Sequence, residues 1–246
     1  MTVGPPDDVR SFTSERRVFL GDASMTGRLR LDALSRFLQD LATNDAEDAD
    51  DVAHDRGWIL RRMELDVRRL PAIYEDLELT TWCSGVGGRW AERSTSIADT
   101  REVEGGVCVV ARAVWVLVRL DTGAPMSLPS DFFDVYGEGA RAHKVRAKLT
   151  LPAPPPAAKR RPWPTRIADF DVFGHVNNAV YWSAVEDELV GWLDGRRVGH
   201  CEIEFKAGID PGEVPELAVD AGDPASLSVW FLVDGEVRAS VRVQPR

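Results

Sequence analysis

The chain has 246 residues, room for one large domain or two of about 120 residues, and its 44% hydrophobic and 28% charged residues with eight tryptophans describe a globular protein, not a disordered one. Thirty Lys and Arg against forty Asp and Glu give a formal charge of −10, which repels nucleic acid and argues against a nucleic-acid-binding function. Cys83, Cys108 and Cys201 are an odd number without a C-x-x-C pair, so neither a disulfide framework nor a zinc site is expected and a reducing compartment is.

The opening MTVGPPDDVRSF lacks the basic and apolar regions of a signal peptide, and no stretch reaches about 18 apolar residues, so a cytoplasmic protein without a membrane span is expected. After it, SMTGRLRLDALSRFLQD (24–40) leads into a helix whose Leu34, Phe37, Leu38 and Leu41 recur at helical spacing. The acidic run NDAEDADD, with His54 and Asp55 beyond it, lacks both the spacing and the glycine of a calcium loop and reads as a solvated helix end. Alternation then predicts strands over RRMELDVRRL, EDLELTTW, RWAERSTSIAD and VCVVARAVWVLVRL. Residues 141–164, rich in Pro, Ala, Lys and Arg, read as a linker or crossover between units at 9–140 and 165–246. In the second unit DVFGHVNNAVYWSAVED (171–187) opens a helix carrying Trp182, Val185, Leu189, Trp192 and Leu193, followed by strands over HCEIEFKAG, ELAVDA, SLSVWFLVDG and EVRASVRV.

The two units are copies. At an offset of 147 the helix segments superimpose Gly27 on Gly174, Leu38 on Val185 and Asp40 on Asp187. At an offset of 140 the next strands superimpose Glu64 on Glu204, Leu65 on Phe205, Pro71 on Pro211 and Leu77 on Leu217. Two blocks in the same order indicate duplication. A helix followed by a strand meander must bury its apolar stripe on one sheet face, and two such units can share edge strands. The expected fold is α+β, a long antiparallel sheet around two central helices.

No G-x-S-x-G, H-E-x-x-H, P-loop or G-x-G-x-x-G motif is present. The chemistry-bearing cluster is DFDVFGHVNNAVYWSAVEDE. Asp171 and His175 bracket Gly174 at the mouth of a helix that Asn177 or Asn178 can cap, and the free amides of a first helical turn can polarise a carbonyl. The N–H of Gly174 is the expected donor, since a residue without Cβ lets substrate approach. Asp171 is the expected base or nucleophile, and Glu186, about two and a half turns further on, a candidate polar group in a buried groove. The same residues also suit a plain capped helix with a turn glycine. Against that, the first copy has Ser24, Arg28, Arg30 and Gln39 where the second has Asp171, His175, Asn177 and Glu186. The glycine persists while the ionisable groups do not, as expected if only one copy keeps a working site.

D-V-F-G-H-V-N-N-A-V-Y (171–181) with Glu186 resembles the active-site segment of bacterial hotdog thioesterases. LRLDALSRFLQDLA, GWILRRMELDVRRLPAIYEDLELTTWCSG and ARAVWVLVRLDTGAPMSLP resemble the first hotdog of the acyl-acyl-carrier-protein thioesterases of plants and bacteria. The resemblance runs from Val9 to Val243. It implies a double hotdog fold, a degenerate first unit that helps shape the acyl tunnel, a catalytic second unit, no cofactor and no metal. It also implies release of fatty acid from acyl carrier protein. Asp171, His175, Gly174, Asn177 and Glu186 form the implied catalytic set, with Asn178, Phe173, Tyr181, Trp182 and Trp58 against the acyl group. The plant pattern D-x-N-x-H with a downstream Glu-Cys is departed from: Phe173 stands at the middle Asn, and Gly208-Ile209 at Glu-Cys. That favours the bacterial version centred on Asp171, with Glu186 covering part of the missing carboxylate.

An acyl-CoA thioesterase and a non-catalytic module that binds acyl chains or a partner are the alternatives. Basic clusters at Arg61, Arg62, Arg68, Arg69 and at Lys159, Arg160, Arg161, Arg166 are either solvated strand edges or a docking surface for an acidic carrier. Fused hotdogs supply their own pairing, so the sequence leaves open a monomer or a homodimer formed through an exposed sheet edge.

Overall fold

The computed structural model describes residues 4–51, 53–101 and 106–246. Both copies of the glycine segment fold alike because their backbones bond alike. In the first, Ser24 N–H donates to Arg28 O, Gly27 N–H to Ser24 O and Arg30 N–H to Asp22 O. In the second, Asp171 N–H donates to His175 O, Gly174 N–H to Asp171 O and Asn177 N–H to Asp169 O. Every counterpart lies 147 residues on. Gly27 and Gly174 hold φ of 69° and 79°, a left-handed turn that explains the glycine kept in both copies.

From these turns spring helix α1 (Leu31–Asp48) and helix α3 (Asn178–Trp192), separated by the short helix α2 (Phe132–Tyr136). The stripe expected on α1, Leu34, Phe37, Leu38 and Leu41, is buried; on α3 Trp182, Val185 and Leu189 are, while Trp192 and Leu193 pack part-buried against the same core. Full burial of each large apolar side chain contributes on the order of 1.5–3 kcal/mol, and this stripe holds the helices against the sheet.

The first unit contributes strands β1 (Ser11–Arg17), β2 (Arg56–Val67), β3 (Asp76–Val86), β4 (Trp90–Asp99) and β5 (Gly106–Arg119). The second contributes β6 (Lys159–Pro162), β7 (Val198–Phe205), β8 (Glu216–Asp223), β9 (Ser226–Val233) and β10 (Glu236–Pro245). All join one sheet in the order β1-β3-β4-β5-β2-β7-β10-β9-β8-β6, the second half repeating the first in reverse. At the join, antiparallel β2 and β7 set Met63 opposite Ile203, Arg62 opposite Glu204 and Glu64 opposite Glu202. Met63 and Ile203 are 140 apart, the second sequence offset, and the flanking pairs exchange counterparts. A pseudo-two-fold axis therefore passes between them. The same axis reverses α1 against α3, so the mouth of α3 lies beside the C-terminal half of α1. This is a double hotdog.

The Pro-rich linker is fastened to the outer face. The Glu204 carboxylate accepts from Thr150 N–H at 2.5 Å and Leu151 N–H at 3.0 Å, and Trp230 Nε1–H donates to Pro152 O at 2.7 Å. Its end differs from the expected boundary at 164: Lys159–Pro162 already pairs with β8, so the second unit's strands begin before residue 165.

Candidate active site

A cavity of about 1140 Å³ is lined by both units. One wall is the C-terminal half of α1 with Gln39 and Thr43, and β2 and β5 contribute Trp58 and Trp115. Phe132 and Tyr136 of α2 also line the cavity, Phe132 packing on Trp58 at 6.2 Å and on Tyr136 at 4.7 Å between ring centroids. The turn before α3 and the start of that helix contribute Asp171, Phe173, His175, Asn178 and Tyr181, and β7 contributes Phe205. Most of the cavity surface is apolar, with polar groups both where α3 begins and elsewhere, among them Asp51, Arg56, Glu92 and Arg93. Asn178, Phe173, Tyr181 and Trp58, expected against the acyl group, all line it.

Asp171 is half-buried and held from two sides: Oδ1 accepts from Phe173 N–H at 3.0 Å and Oδ2 from Asn177 Nδ2 at 3.4 Å. Asn177 is the N-cap, its Oδ1 accepting from Ala179 N–H at 2.9 Å. One side chain therefore both caps the helix and steadies the carboxylate, and Asn177 acts through Asp171 without lining the cavity. The next amide, Asn178 N–H, makes no hydrogen bond among the described residues. It is an unmatched first-turn donor carrying the partial positive charge of the helix start.

The oxyanion donor expected from sequence was the Gly174 amide, and the bonding corrects this. Gly174 N–H is spent on Asp171 O at 3.0 Å, closing the turn, so Asn178 supplies the free amide. Glu186 is also displaced from its expected role. It does not line the cavity; its Oε1 accepts from Leu31 N–H at 2.7 Å, capping the other helix. Burial first, then Asp32 nearby, pushes its carboxyl up to about 7, opposed by the Leu31 amide and Arg30. Trp182, expected against the acyl group, is wholly buried in the core and not part of the lining.

His175 is exposed at the mouth, its Nδ1 2.6 Å from Asp210 Oδ1. Asp210 is a partner that sequence comparison missed. It follows directly on Gly208-Ile209, the pair standing at Glu-Cys, so a carboxylate does serve the histidine from one residue further along. Glu213 fixes that turn by accepting from Asp210 N–H at 2.8 Å and from Arg238 at 2.6 Å. Gly208 is required sterically, because a Cβ there would lie 2.8 Å from the His175 ring.

Most of the predicted basic clusters are matched inside the chain. Arg69 pairs with Glu75 and Asp99, Arg62 with Glu64, Arg160 with Glu216, Arg161 with Glu188 and Arg166 with Asp169. Arg61 instead donates to Phe205 O at 2.8 Å beside the cavity, whose lining also includes Lys206, Arg56, Arg89, Arg93 and Arg119. Among the described residues no helix is long and apolar enough to cross a membrane, and no group of three or more His, Cys, Asp or Glu could hold a metal ion.

The sheet wrapped around two paired helices, with polar groups gathered at one helix mouth, defines the hotdog thioesterase fold. The chain belongs to the acyl-ACP thioesterase family: residues 10–136 match its N-terminal domain and residues 153–236 its C-terminal domain. An uncharacterised protein of Mycobacterium tuberculosis is 25% identical, covering 93% of this chain and 90% of its own. An acyl-ACP thioesterase from Bacteroides thetaiotaomicron aligns at a TM-score of 0.80 with 21% identity, over 96% of this chain and 98% of that chain. The 12:0-ACP thioesterase from Umbellularia californica aligns at 0.78 with 16% identity, over 96% and 97%.

Proposed function

We propose that the protein releases free fatty acid from acyl carrier protein by thioester hydrolysis at the mouth of α3, a reaction of fatty-acid biosynthesis. The observation that carries this reading is that the Asp171 carboxylate and the unmatched Asn178 amide line one cavity of about 1140 Å³ whose surface is mostly apolar, as an alkyl tail requires. The thioester carbonyl would sit with its oxygen toward Asn178 N–H. Asp171 takes a proton from water as the water oxygen bonds to the carbonyl carbon, and the negative charge that develops on oxygen is held by the amide. The oxyanion then collapses, the C–S bond breaks, and the proton on Asp171 becomes available to the departing sulfur. Direct attack by Asp171, giving an anhydride that water opens, uses the same groups. His175, fixed by Asp210, stands at the entrance where the phosphopantetheine arm must pass.

Support for a carrier protein over a free thioester comes from charge and from the family. Although the chain is acidic overall at −10 and Arg56, Arg93, Arg119 and Lys206 of the lining are matched by Asp51, Asp45, Asp121 and Glu236, Arg61 and Arg89 line the cavity without an ion pair among the described residues and are suited to an acidic partner. The Bacteroides and Umbellularia relatives are named as acting on acyl-ACP. The test is steady-state hydrolysis of one acyl group presented on carrier protein and on coenzyme A. A higher kcat/KM on the carrier is expected, falling as salt is raised. A large preference for the coenzyme A ester would overturn the carrier assignment and leave an acyl-CoA thioesterase.

A further inference from the structure

The two helix starts are related by the pseudo-two-fold axis but are not equivalent, and the difference points to a residue in the first unit. At the start of α1, Glu186 Oε1 accepts from Leu31 N–H at 2.7 Å. The offset of 147 that carries Gly27 onto Gly174 also carries Leu31 onto Asn178 and Gln39 onto Glu186. Under the axis, therefore, the relation of Glu186 to Leu31 becomes that of Gln39 to Asn178. The cavity bears this out: Gln39 and Asn178 line it together with Asp171, while Glu186 and Leu31 line none of it.

At α1 the acidic side chain puts its own oxygen where a carbonyl oxygen would otherwise meet the helix start, so that copy of the site is filled. At α3 the corresponding side chain is a neutral amide, and the Asn178 N–H has no partner among the described residues. A carboxyl turned onto a first-turn amide fills it with an oxygen, as Glu186 does at Leu31, whereas a primary amide can present its Nε2–H beside that amide and so brings a donor of its own.

We propose that Gln39 is a catalytic residue contributed by the first unit. Its Nε2–H donates to the thioester carbonyl oxygen alongside Asn178 N–H, and its lack of charge keeps that helix start open to substrate. The inference rests on the hydrolase reading above and deepens it: the degenerate unit supplies part of the oxyanion site.

The test compares the full-length wild-type chain with Gln39→Glu, Gln39→Ala and Asp171→Asn on a long-chain acyl group carried by acyl carrier protein, with Tm measured on each. Gln39→Glu transplants the Glu186 arrangement to the working site and is expected to lower kcat about 100-fold, the size typical of a lost oxyanion donor. Gln39→Ala is expected to lower kcat about tenfold with KM nearly constant, the pattern of a contact made mainly in the transition state. Gln39→Glu remaining within about threefold of wild type, in an experiment where Asp171→Asn is inactive, would overturn the assignment of Gln39 alone. If Gln39→Glu does not fold, Gln39→Ala decides: a raised KM at unchanged kcat means wall lining only and overturns the proposal. A wild-type chain that hydrolyses no acyl thioester would sink the hydrolase reading, and this contact with it.

Discussion

Replacing Glu186 by glutamine isolates the energetic cost of the carboxyl that the fold uses as a helix cap. Its side chain is 22% exposed, and burial pushes its carboxyl from an ordinary 4.5 to about 7. Between those two values the folded chain holds a proton that the unfolded chain has released, so the native state is favoured on the acid side. That advantage is lost as pH rises through 7. Two and a half units at about 1.36 kcal/mol each amount to about 3 kcal/mol. Glutamine keeps an oxygen for Leu31 N–H but carries no charge, so Glu186→Gln should match wild type near pH 4.5 and exceed its stability by about 3 kcal/mol near pH 8. Urea unfolding followed by tryptophan fluorescence at both values measures the difference. A variant less stable than wild type at pH 8, or one whose stability difference from wild type does not change with pH, would refute the reasoning and mean that the ionised carboxylate is the favoured cap.

Other substitutions separate site from scaffold. Gly208→Ala places a methyl group 2.8 Å from the His175 ring, so activity should fall while Tm shifts by no more than about 2–4 °C, read by kinetics and thermal unfolding on one preparation. Trp182→Ala removes a fully buried side chain outside the cavity lining, and should cost about 3–5 kcal/mol in denaturant unfolding. Phe132→Ala removes a bulky ring that lines the cavity and packs on Trp58, so the ratio of kcat/KM for longer over shorter acyl chains should rise.

The sequence carried the fold further than it carried the site. Duplication was legible because both offsets, 147 and 140, are structural facts: the first is the spacing of two identical turn-bonding patterns, the second the spacing of Met63 and Ile203 across the pseudo-two-fold axis. Asp171, His175 and the Asn177 cap were legible because they lie within one turn of each other. What escaped depended on contacts between distant segments. Glu186 looked like a site carboxylate until its partner proved to be Leu31, 155 residues away. Asp210 sits 35 residues from His175 and falls just outside the aligned Glu-Cys position. The Gly174 amide was misassigned because a glycine at a tight turn suggests open approach, whereas here that amide closes the turn onto Asp171 O and the φ of 79° redirects the chain after it, so that His175 O accepts from Asp171 N–H.

Everything in the proposed chemistry passes through one carboxylate, so the rate of acyl-carrier thioester hydrolysis by Asp171→Asn tests it most directly. Asparagine preserves the shape and an acceptor for Phe173 N–H but cannot take a proton from water. A loss of about 100-fold or more in kcat, with Tm little changed, is predicted. An undiminished rate would mean that Asp171 merely braces the turn before α3 and that the chemistry, if any, lies elsewhere.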